Sequence, residues 1–274
     1  MRIAVCAKQV PDPEIPPSQF KVDEAAKRVV PPQGVPPVVN GFDLNAVEAA
    51  LRIRDAALRV PQGTAGGQGV EITVFSAGSG FVMDVMKKPL SMGADHLALV
   101  DDPALSQSDA LATAKALASA IRREGQFDLV LCGRQASDWD QALVPAGIAE
   151  LLGLPCVTLA KAISVRDGTA RIERVLPGMK QIVECPLPMV VTVSNELGEP
   201  RYPTLRGIMA ASRKAPVIIK LAELRTSAPE LAPRMTLTRL SVPERRRTCE
   251  FIQGQDEADS GRLLALRLRQ EKLI

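Results

Sequence analysis

The chain of 274 residues is 46% hydrophobic and 24% charged, so it can bury a sizeable core and has the composition of neither a disordered nor a membrane-embedded protein. Its 34 basic and 31 acidic residues leave a net charge of +3, and its few aromatic residues argue against a nucleic-acid-binding surface. The apolar run in the opening MRIAVCAKQV is too short for a signal peptide or a membrane span, so we expect a cytoplasmic protein without membrane insertion.

Short apolar runs alternate with segments that carry apolar residues at helical spacing. The runs predict buried strands at 2–8, 71–78, 96–101, 127–133, 154–160 and 186–194, and the other segments predict helices at 43–59, 80–92, 108–124 and 142–152. Strands that alternate with helices form a mainly parallel sheet. The pattern therefore predicts an α/β fold with a doubly wound sheet, in which ligands bind at the carboxyl ends of the strands where the strand order reverses.

Two regions depart from this alternation. Residues 11–40 are rich in proline and predict an irregular excursion or a small hairpin, whereas 163–176 predicts a hairpin that turns at Arg166-Asp167-Gly168. The end of the chain has prolines and arginines but no long apolar run. We therefore expect an α/β domain over 1–220 and an irregular C-terminal arm over 221–274 that packs on a partner subunit.

The usual catalytic and metal-binding motifs are missing from the sequence. It contains no GxSxG, HExxH or GxxxxGK[ST] motif, and the sole histidine, His96, is better interpreted as a strand-edge residue than as a base or metal ligand. The GSG at 78–80 fits an ordinary turn at least as well as a phosphate contact. No spacing typical of zinc or of a disulfide framework connects the cysteines, which are Cys6, Cys132, Cys156, Cys185 and Cys249. We therefore expect no metal site.

The stretch CGRQASDWDQ at 132–141 follows a predicted strand and precedes a predicted helix. Its glycine permits close backbone approach, and its polar side chains supply both donors and acceptors: Arg134, Gln135, Ser137, Asp138 and Asp140. Donors near a helix start suit phosphate, and carboxylates suit ribose hydroxyls, which favours a nucleotide-binding loop. A turn in which Asp138 or Asp140 caps the following helix explains the same residues equally well.

Seven blocks of the sequence resemble, in order, the beta subunit of electron-transfer flavoproteins. They are VCAKQVPD at 5–12, NGFDLNAVEAALRIRD at 40–55, LSMGADHLALV at 90–100, SDALATAKALASAI at 108–121, CGRQASDWDQ at 132–141, IAELLGLPCVTLA at 148–160, and RIERVLPGMKQIVECPLPMVVTVSNELGEPRYPTLRGIM at 171–209. Individually NxFD or GRQA would be unremarkable, but seven blocks in the same order are highly specific.

The resemblance implies an electron carrier and no enzyme. In this family an alpha subunit holds most of the redox FAD, and the beta subunit binds a further adenine nucleotide in a Rossmann-like α/β domain. That nucleotide is AMP in ordinary carriers and a second FAD in the electron-bifurcating branch. Electrons would pass from flavin dehydrogenases, such as acyl-CoA dehydrogenases, to a quinone reductase or other acceptor. The alternative is a stand-alone adenine-nucleotide-binding or sensor protein of the same fold.

The resemblance also assigns nucleotide contacts to strand ends and loops. They are Cys6, Ala7, Lys8, Asn40, Gly41, Phe42, Asp43, Ala77, Gly78, Cys132, Gly133, Arg134, Gln135, Ala136, Ser137, Asp138, Asp140 and Gln141. The chain departs from the family pattern at Gly41, where proline is common, and at Leu143 and Pro145, where Gln-x-Gly is usual. The second departure removes potential phosphate donors.

The segment 195–209 resembles the family's recognition loop, in which one leucine enters a hydrophobic pocket on a partner dehydrogenase. By position this leucine is Leu205, and Tyr202 lies close to it in the sequence. From the residues alone, a leucine in such a segment is more typical of a buried loop anchor. With the resemblance, we expect Tyr202 and Leu205 to contact the partner.

Overall fold

The computed structural model describes residues 1–59, 69–224, 226, 231–243 and 249–274. Its strands are β1 (Arg2–Cys6), β2 (Gln9–Val10), β3 (Lys21–Asp23), β4 (Arg28–Val30), β5 (Val38–Val39), β6 (Glu71–Gly78), β7 (His96–Asp101), β8 (Leu129–Gly133), β9 (Cys156–Arg166), β10 (Thr169–Leu176), β11 (Met179–Pro186), β12 (Met189–Val193) and β13 (Val217–Ile219). Its α-helices are α1 (Gly41–Leu58), α2 (Met83–Met86), α3 (Lys88–Met92), α4 (Ala110–Glu124), α5 (Val144–Leu152), α6 (Leu205–Arg213) and α7 (Glu257–Gln270).

Within the described residues, nine strands form one sheet in the order β11-β10-β9-β12-β8-β1-β6-β7-β13. From β9 to β13 in this order every neighbouring pair is parallel, whereas β10 and β11 pair antiparallel at one edge. The central strand β8, LVLCG, is buried along its whole length, as expected of a parallel strand with helices on both faces. The predicted α/β fold with a mainly parallel sheet is confirmed.

Two helical layers cover the central sheet. Helix α1 packs on β1, β8 and β12 at one face, and α4 and α5 pack against each other at the opposite face. Along the chain, β1 is followed by β6 and β7 on one side of the sheet, and β8 then returns to the other side of β1. The strand order therefore reverses between β1 and β8, whose last paired residues include Cys6 and Cys132.

Several elements differ from the prediction. The helix predicted at 80–92 is divided into α2 and α3, with Lys87 between them. The hairpin between β9 and β10 turns at Asp167 and Gly168, where φ is 50° and 73°, but a further strand, β11, pairs on its outer side. An edge strand lacks the continuous apolar centre that identifies a buried strand, and the sequence therefore did not indicate β11.

Outside the central sheet, the small hairpin that was one of the two alternatives for 11–40 is present, and the C-terminal arm is more regular than predicted. The proline-rich segment 11–40 contains the hairpin of β3 and β4 and ends in β5, which pairs with β2. The C-terminal arm includes α7, a helix of 14 residues that Asp256 caps and that has no buried residue. Residues 225, 227–230 and 244–248 of the predicted arm lie outside the described residues. No helix in the described ranges is long and apolar enough to cross a membrane.

Candidate functional site

The carboxyl ends of β1, β6 and β8 lie side by side at the point where the strand order reverses. Helix α1 begins against the end of β8, because the backbone of Phe42 and Asp43 contacts Gly133. Four predicted segments therefore meet at one edge of the sheet: 6–8, 40–43, 77–78 and 132–141. This is the edge at which doubly wound sheets bind ligands.

Asp43 connects the two strands on either side of the reversal point. Its carboxylate accepts hydrogen bonds from the backbone N–H of Lys8, at 2.8 Å, and of Gly133, at 3.1 Å. Burial raises the pKa of Asp43 to about 7, although the hydrogen bonds that it accepts oppose this rise. Because both oxygens are engaged within the protein, Asp43 holds the ends of β1 and β8 in position.

Gly133 makes this close contact possible. A Cβ atom at this position would lie 2.7 Å from the carbonyl carbon of Phe42 and 2.8 Å from the backbone nitrogen of Asp43. Both are backbone atoms and cannot rotate away. Only glycine therefore lets the end of β8 lie directly against the first turn of α1.

Asn40 holds the loop after β8 against the start of α1. Its side chain is fully buried. The side-chain nitrogen donates to the carbonyl of Gln135 at 2.8 Å, and the side-chain oxygen accepts from the backbone N–H of Ser137 at 3.2 Å. Both polar atoms of Asn40 are thus used to shape the loop.

The loop at 134–141 is held by its charged and amide side chains. Asp138 pairs with the Lys8 ammonium at 2.5 Å, and Asp140 accepts from the Gln135 amide at 2.8 Å. The Arg134 guanidinium lies 5.5 Å from the centre of the Phe42 ring, within the range of a cation–π contact. Lys8 and Asp138 therefore come together, although they are 130 positions apart in the sequence.

The structure does not support the interpretation of 132–141 as a capped turn. Helix α5 begins at Val144, and its N-cap residue is Leu143, which makes no side-chain capping hydrogen bond. Neither Asp138 nor Asp140 caps this helix, since Lys8 and Gln135 are their partners. Asp140 has φ of 50°, a left-handed conformation that a short polar residue tolerates better than most.

Several polar groups of the loop have no partner within the described chain. They include the backbone N–H groups of Gln135, Ala136 and Asp138 and the buried Oγ atom of Ser137. Buried polar groups are ordinarily hydrogen-bonded, so an unpartnered hydroxyl calls for an explanation. Backbone N–H groups next to two cations, Lys8 and Arg134, form a donor set that fits phosphate, and the neighbouring carboxylates fit ribose hydroxyls.

The remaining predicted residues contribute backbone or surface at the same edge. The side chains of Cys6 and Cys132 are buried in the core beneath α4 and α5, where a hydrogen bond with Cys6 and burial raise the pKa of the Cys132 thiol well above its ordinary value. Only their backbone can reach a ligand. Ala7 is buried, whereas Gly41 and Gln141 are exposed, and Ala77 and Gly78 end β6.

The segment predicted as a recognition loop is partly helical. Helix α6 begins at Leu205, because the Thr204 side chain accepts from the backbone N–H of Gly207 at 3.0 Å and so caps the helix. Residues 205–209 are therefore helical and do not belong to the loop. Leu205 is 76% exposed and Tyr202 is 92% exposed, so Leu205 is not a buried anchor in the described chain.

Comparisons with known proteins identify the family of this chain. A family model described as electron transfer flavoprotein domain matches residues 28–224. The electron transfer flavoprotein subunit beta of Megasphaera elsdenii is 40% identical over 78% of this chain and 76% of the relative. The chain belongs to the electron transfer flavoprotein beta subunit family.

Two further relatives are similar to this chain over at least three quarters of its length. The electron transfer flavoprotein subunit beta of Thermoanaerobacterium thermosaccharolyticum is 36% identical over 93% of both chains. A caffeyl-CoA reductase-Etf complex subunit CarD of Acetobacterium woodii is 37% identical over 77% of this chain and 75% of the relative. The resemblance found in the sequence is confirmed, and membership in a family of beta subunits implies an alpha subunit as partner in a complex.

The sequence did not indicate a group of charged residues that joins α1 to the segment after β12. Glu48 of α1 lies between Arg52 and Arg201, and its side chain is only 5% exposed. The spacing of Glu48 and Arg52, four residues apart on a predicted helix, was a possible signal. The link to Arg201 could not be read from the sequence, because the two residues are 153 positions apart.

Proposed function

We propose that this chain is the beta subunit of a heterodimeric electron carrier that passes electrons from flavin dehydrogenases, such as acyl-CoA dehydrogenases, to a quinone reductase or other acceptor. Family membership supports the carrier role, since the relatives are named as beta subunits of electron transfer flavoproteins. The redox FAD is held jointly with the alpha subunit and supplies the electron-transfer chemistry. The chain itself contributes position and electrostatics, and no residue acts as an acid or base.

The chain also binds an adenine nucleotide, either AMP or a second FAD, at the reversal point of the sheet. The observation that carries this proposal is the loop 134–141, where unpartnered backbone donors lie beside Lys8 and Arg134. Lys8, Arg134 and these N–H groups bind the phosphate, and Asp138 or Asp140 accepts from the ribose hydroxyls. Asn40, Asp43 and Gly133 hold the loop and the strand ends in the binding geometry.

Tyr202 and Leu205 contact the electron donor. Both side chains are largely exposed, and Leu205 lies at the first position of a helix that is seated on α3, where Gly207 lies close to the Ser91 carbonyl. A single leucine that becomes buried on docking contributes about 1.5 to 3 kcal/mol. A contribution of this size suits a complex that must dissociate after each electron transfer.

The test compares the chain alone with the chain co-expressed with a candidate alpha subunit. After size exclusion, we expect stoichiometric flavin absorbance and co-elution only with the alpha subunit, and mass spectrometry of released nucleotides should find AMP or FAD. Flavin that is bound tightly to the isolated chain and is retained in Arg134→Ala would contradict the shared site. Nucleotide released from a chain that never associates with an alpha subunit would favour the stand-alone alternative.

Two substitutions test the loop in the same preparations. Arg134→Ala and Asp138→Ala should each weaken nucleotide retention by about 1.5 to 3 kcal/mol, the value of a hydrogen bond to a charged group. Arg59→Ala is the matched control, because it removes a cation from the opposite end of the 18-residue helix α1. Unchanged nucleotide content in both loop variants would show that the loop does not bind the nucleotide.

A further inference from the structure

Glu48 is a buried carboxylate with unusually complete pairing. It accepts from Arg52 Nε at 2.9 Å and from Arg201 Nε at 2.8 Å. Burial alone would raise the pKa of Glu48, but the hydrogen bonds from Arg201 and Arg52 outweigh it and hold this pKa below its ordinary value. A buried charge is retained at such a position only when it is paired, so Glu48 and the two arginines form one unit.

This unit fixes the backbone between β12 and α6. Glu48 also accepts from the backbone N–H of Arg201 at 3.2 Å, and Arg52 donates to the carbonyl of Leu197 at 2.7 Å. A third contact from α1 is the Asn45 side-chain nitrogen, which donates to the carbonyl of Gly198 at 2.8 Å. The segment 197–201 is therefore attached to α1 along its whole length.

The attached segment leads directly into the residues that face outward. Tyr202 follows Arg201 in the chain, and Leu205 begins α6 three residues later. The Arg201 guanidinium also binds Asp55 at 2.8 Å, which fixes its second side against α1. Neither Tyr202 nor Leu205 is buried against the described chain, so their position depends on the segment that precedes them and on the seating of α6.

We propose that Glu48 is a positioning residue for partner docking: through Arg52 and Arg201 it fixes residues 197–201 and presents Tyr202 and Leu205 in the orientation that the electron donor binds. The inference rests on the proposed docking role of Leu205. A docking segment held in its bound orientation before encounter loses less conformational entropy on binding. Release of the segment should therefore raise the Michaelis constant for the carrier and leave the chemistry of the bound flavin unchanged.

The experiment measures reduction of the heterodimer by an acyl-CoA dehydrogenase with Arg201→Gln, Leu205→Ala and the double variant. Arg201 is the substituted residue because it is partly exposed and Arg52 still pairs with Glu48 in its absence; Glu48→Gln is the second variant. Arg206→Gln is the charge control, since it removes an arginine beside Leu205 that has no ion pair in the described chain. Flavin content and melting temperature are recorded for every preparation.

We expect Arg201→Gln and Glu48→Gln to raise the Michaelis constant about fivefold with unchanged kcat and flavin content, because only preorganisation is lost. The double variant should be no worse than Leu205→Ala alone, since a docking segment without its leucine gains nothing from correct orientation. An unchanged constant in Arg201→Gln, an additive double variant, or an equal effect of Arg206→Gln would overturn the positioning role. If Leu205→Ala itself has no effect, the docking proposal fails instead.

Discussion

Asp43→Asn tests whether a single buried carboxylate stabilises the contact between the ends of β1 and β8 and the start of α1. The side chain is 7% exposed and accepts from two backbone N–H groups, those of Lys8 and Gly133. Asparagine keeps the shape and one acceptor but turns an N–H₂ group toward one of these donors. The variant therefore removes the titrating group, and it also loses one of the two hydrogen bonds, which costs about 1 to 3 kcal/mol apart from the titration of Asp43.

The pH dependence follows from the raised pKa of Asp43. Burial raises this pKa from 3.8 to about 7. At a pH between these two values, Asp43 is therefore protonated in the folded protein and ionised in the unfolded chain. The stabilising contribution is complete below pH 3.8 and is lost as the pH rises through about 7. Between pH 5 and pH 7 the loss is about 2 kcal/mol, because the slope of about 1.4 kcal/mol for each pH step flattens as the pH approaches 7.

Urea unfolding of both proteins from pH 5 to pH 8 measures this contribution as the difference in the free energy of unfolding. Titrating groups that the two proteins share cancel in this difference. We expect the difference in the free energy of unfolding to fall with rising pH and then to level off. Asp109→Asn is the control, because backbone hydrogen bonds from Ala112, Arg234 and Met235 outweigh burial and lower the pKa of Asp109. Its difference in the free energy of unfolding should therefore be constant over this range. A constant difference for Asp43→Asn would refute the raised pKa.

Two further predictions concern Gly133, which lies at the contact between β8 and α1, and the exposed Leu205. Gly133→Ala should lower the free energy of unfolding by about 1 to 3 kcal/mol, because the new methyl group meets backbone atoms of α1; Gly41→Ala, which has open space around it, should be neutral in the same urea titration. Leu205→Ala should raise the Michaelis constant for the carrier about tenfold in stopped-flow reduction, which is the effect of losing about 1.5 kcal/mol of apolar burial. The control is Leu58→Ala, at a leucine that is 75% exposed, and it should leave the Michaelis constant unchanged. A lower melting temperature with an unchanged rate would contradict docking by Leu205.

The order of strands and helices could be predicted because it depends on local patterns. The continuous apolar run of β8 and the helical spacing in α1 and α4 identify these elements without reference to the rest of the chain. The edge strand β11 and the helix α7 were not indicated. Their residues are largely exposed in the described chain, so they lack the apolar signal on which such a prediction depends.

The candidate site was only partly accessible from the sequence. CGRQASDWDQ was recognised as a polar loop at a strand end, but its residues fitted a capped turn equally well. The structure excludes the helix cap, because Asp138 pairs with Lys8, which is 130 positions away, and the cap position of α5 is Leu143. Pairings over such distances depend on the strand order and have no local signature.

The sequence by itself determined the α/β class, the family and the segments that reach the carboxyl edge of the sheet, because apolar periodicity and ordered motifs are local properties of the chain. Only the tertiary structure decided which side chains have partners and which are free. Asn40 and Asp43 use their polar atoms within the protein, and Glu48 holds the segment before Tyr202. The physical reason is that burial and hydrogen bonding depend on neighbours that the fold brings together from distant parts of the chain.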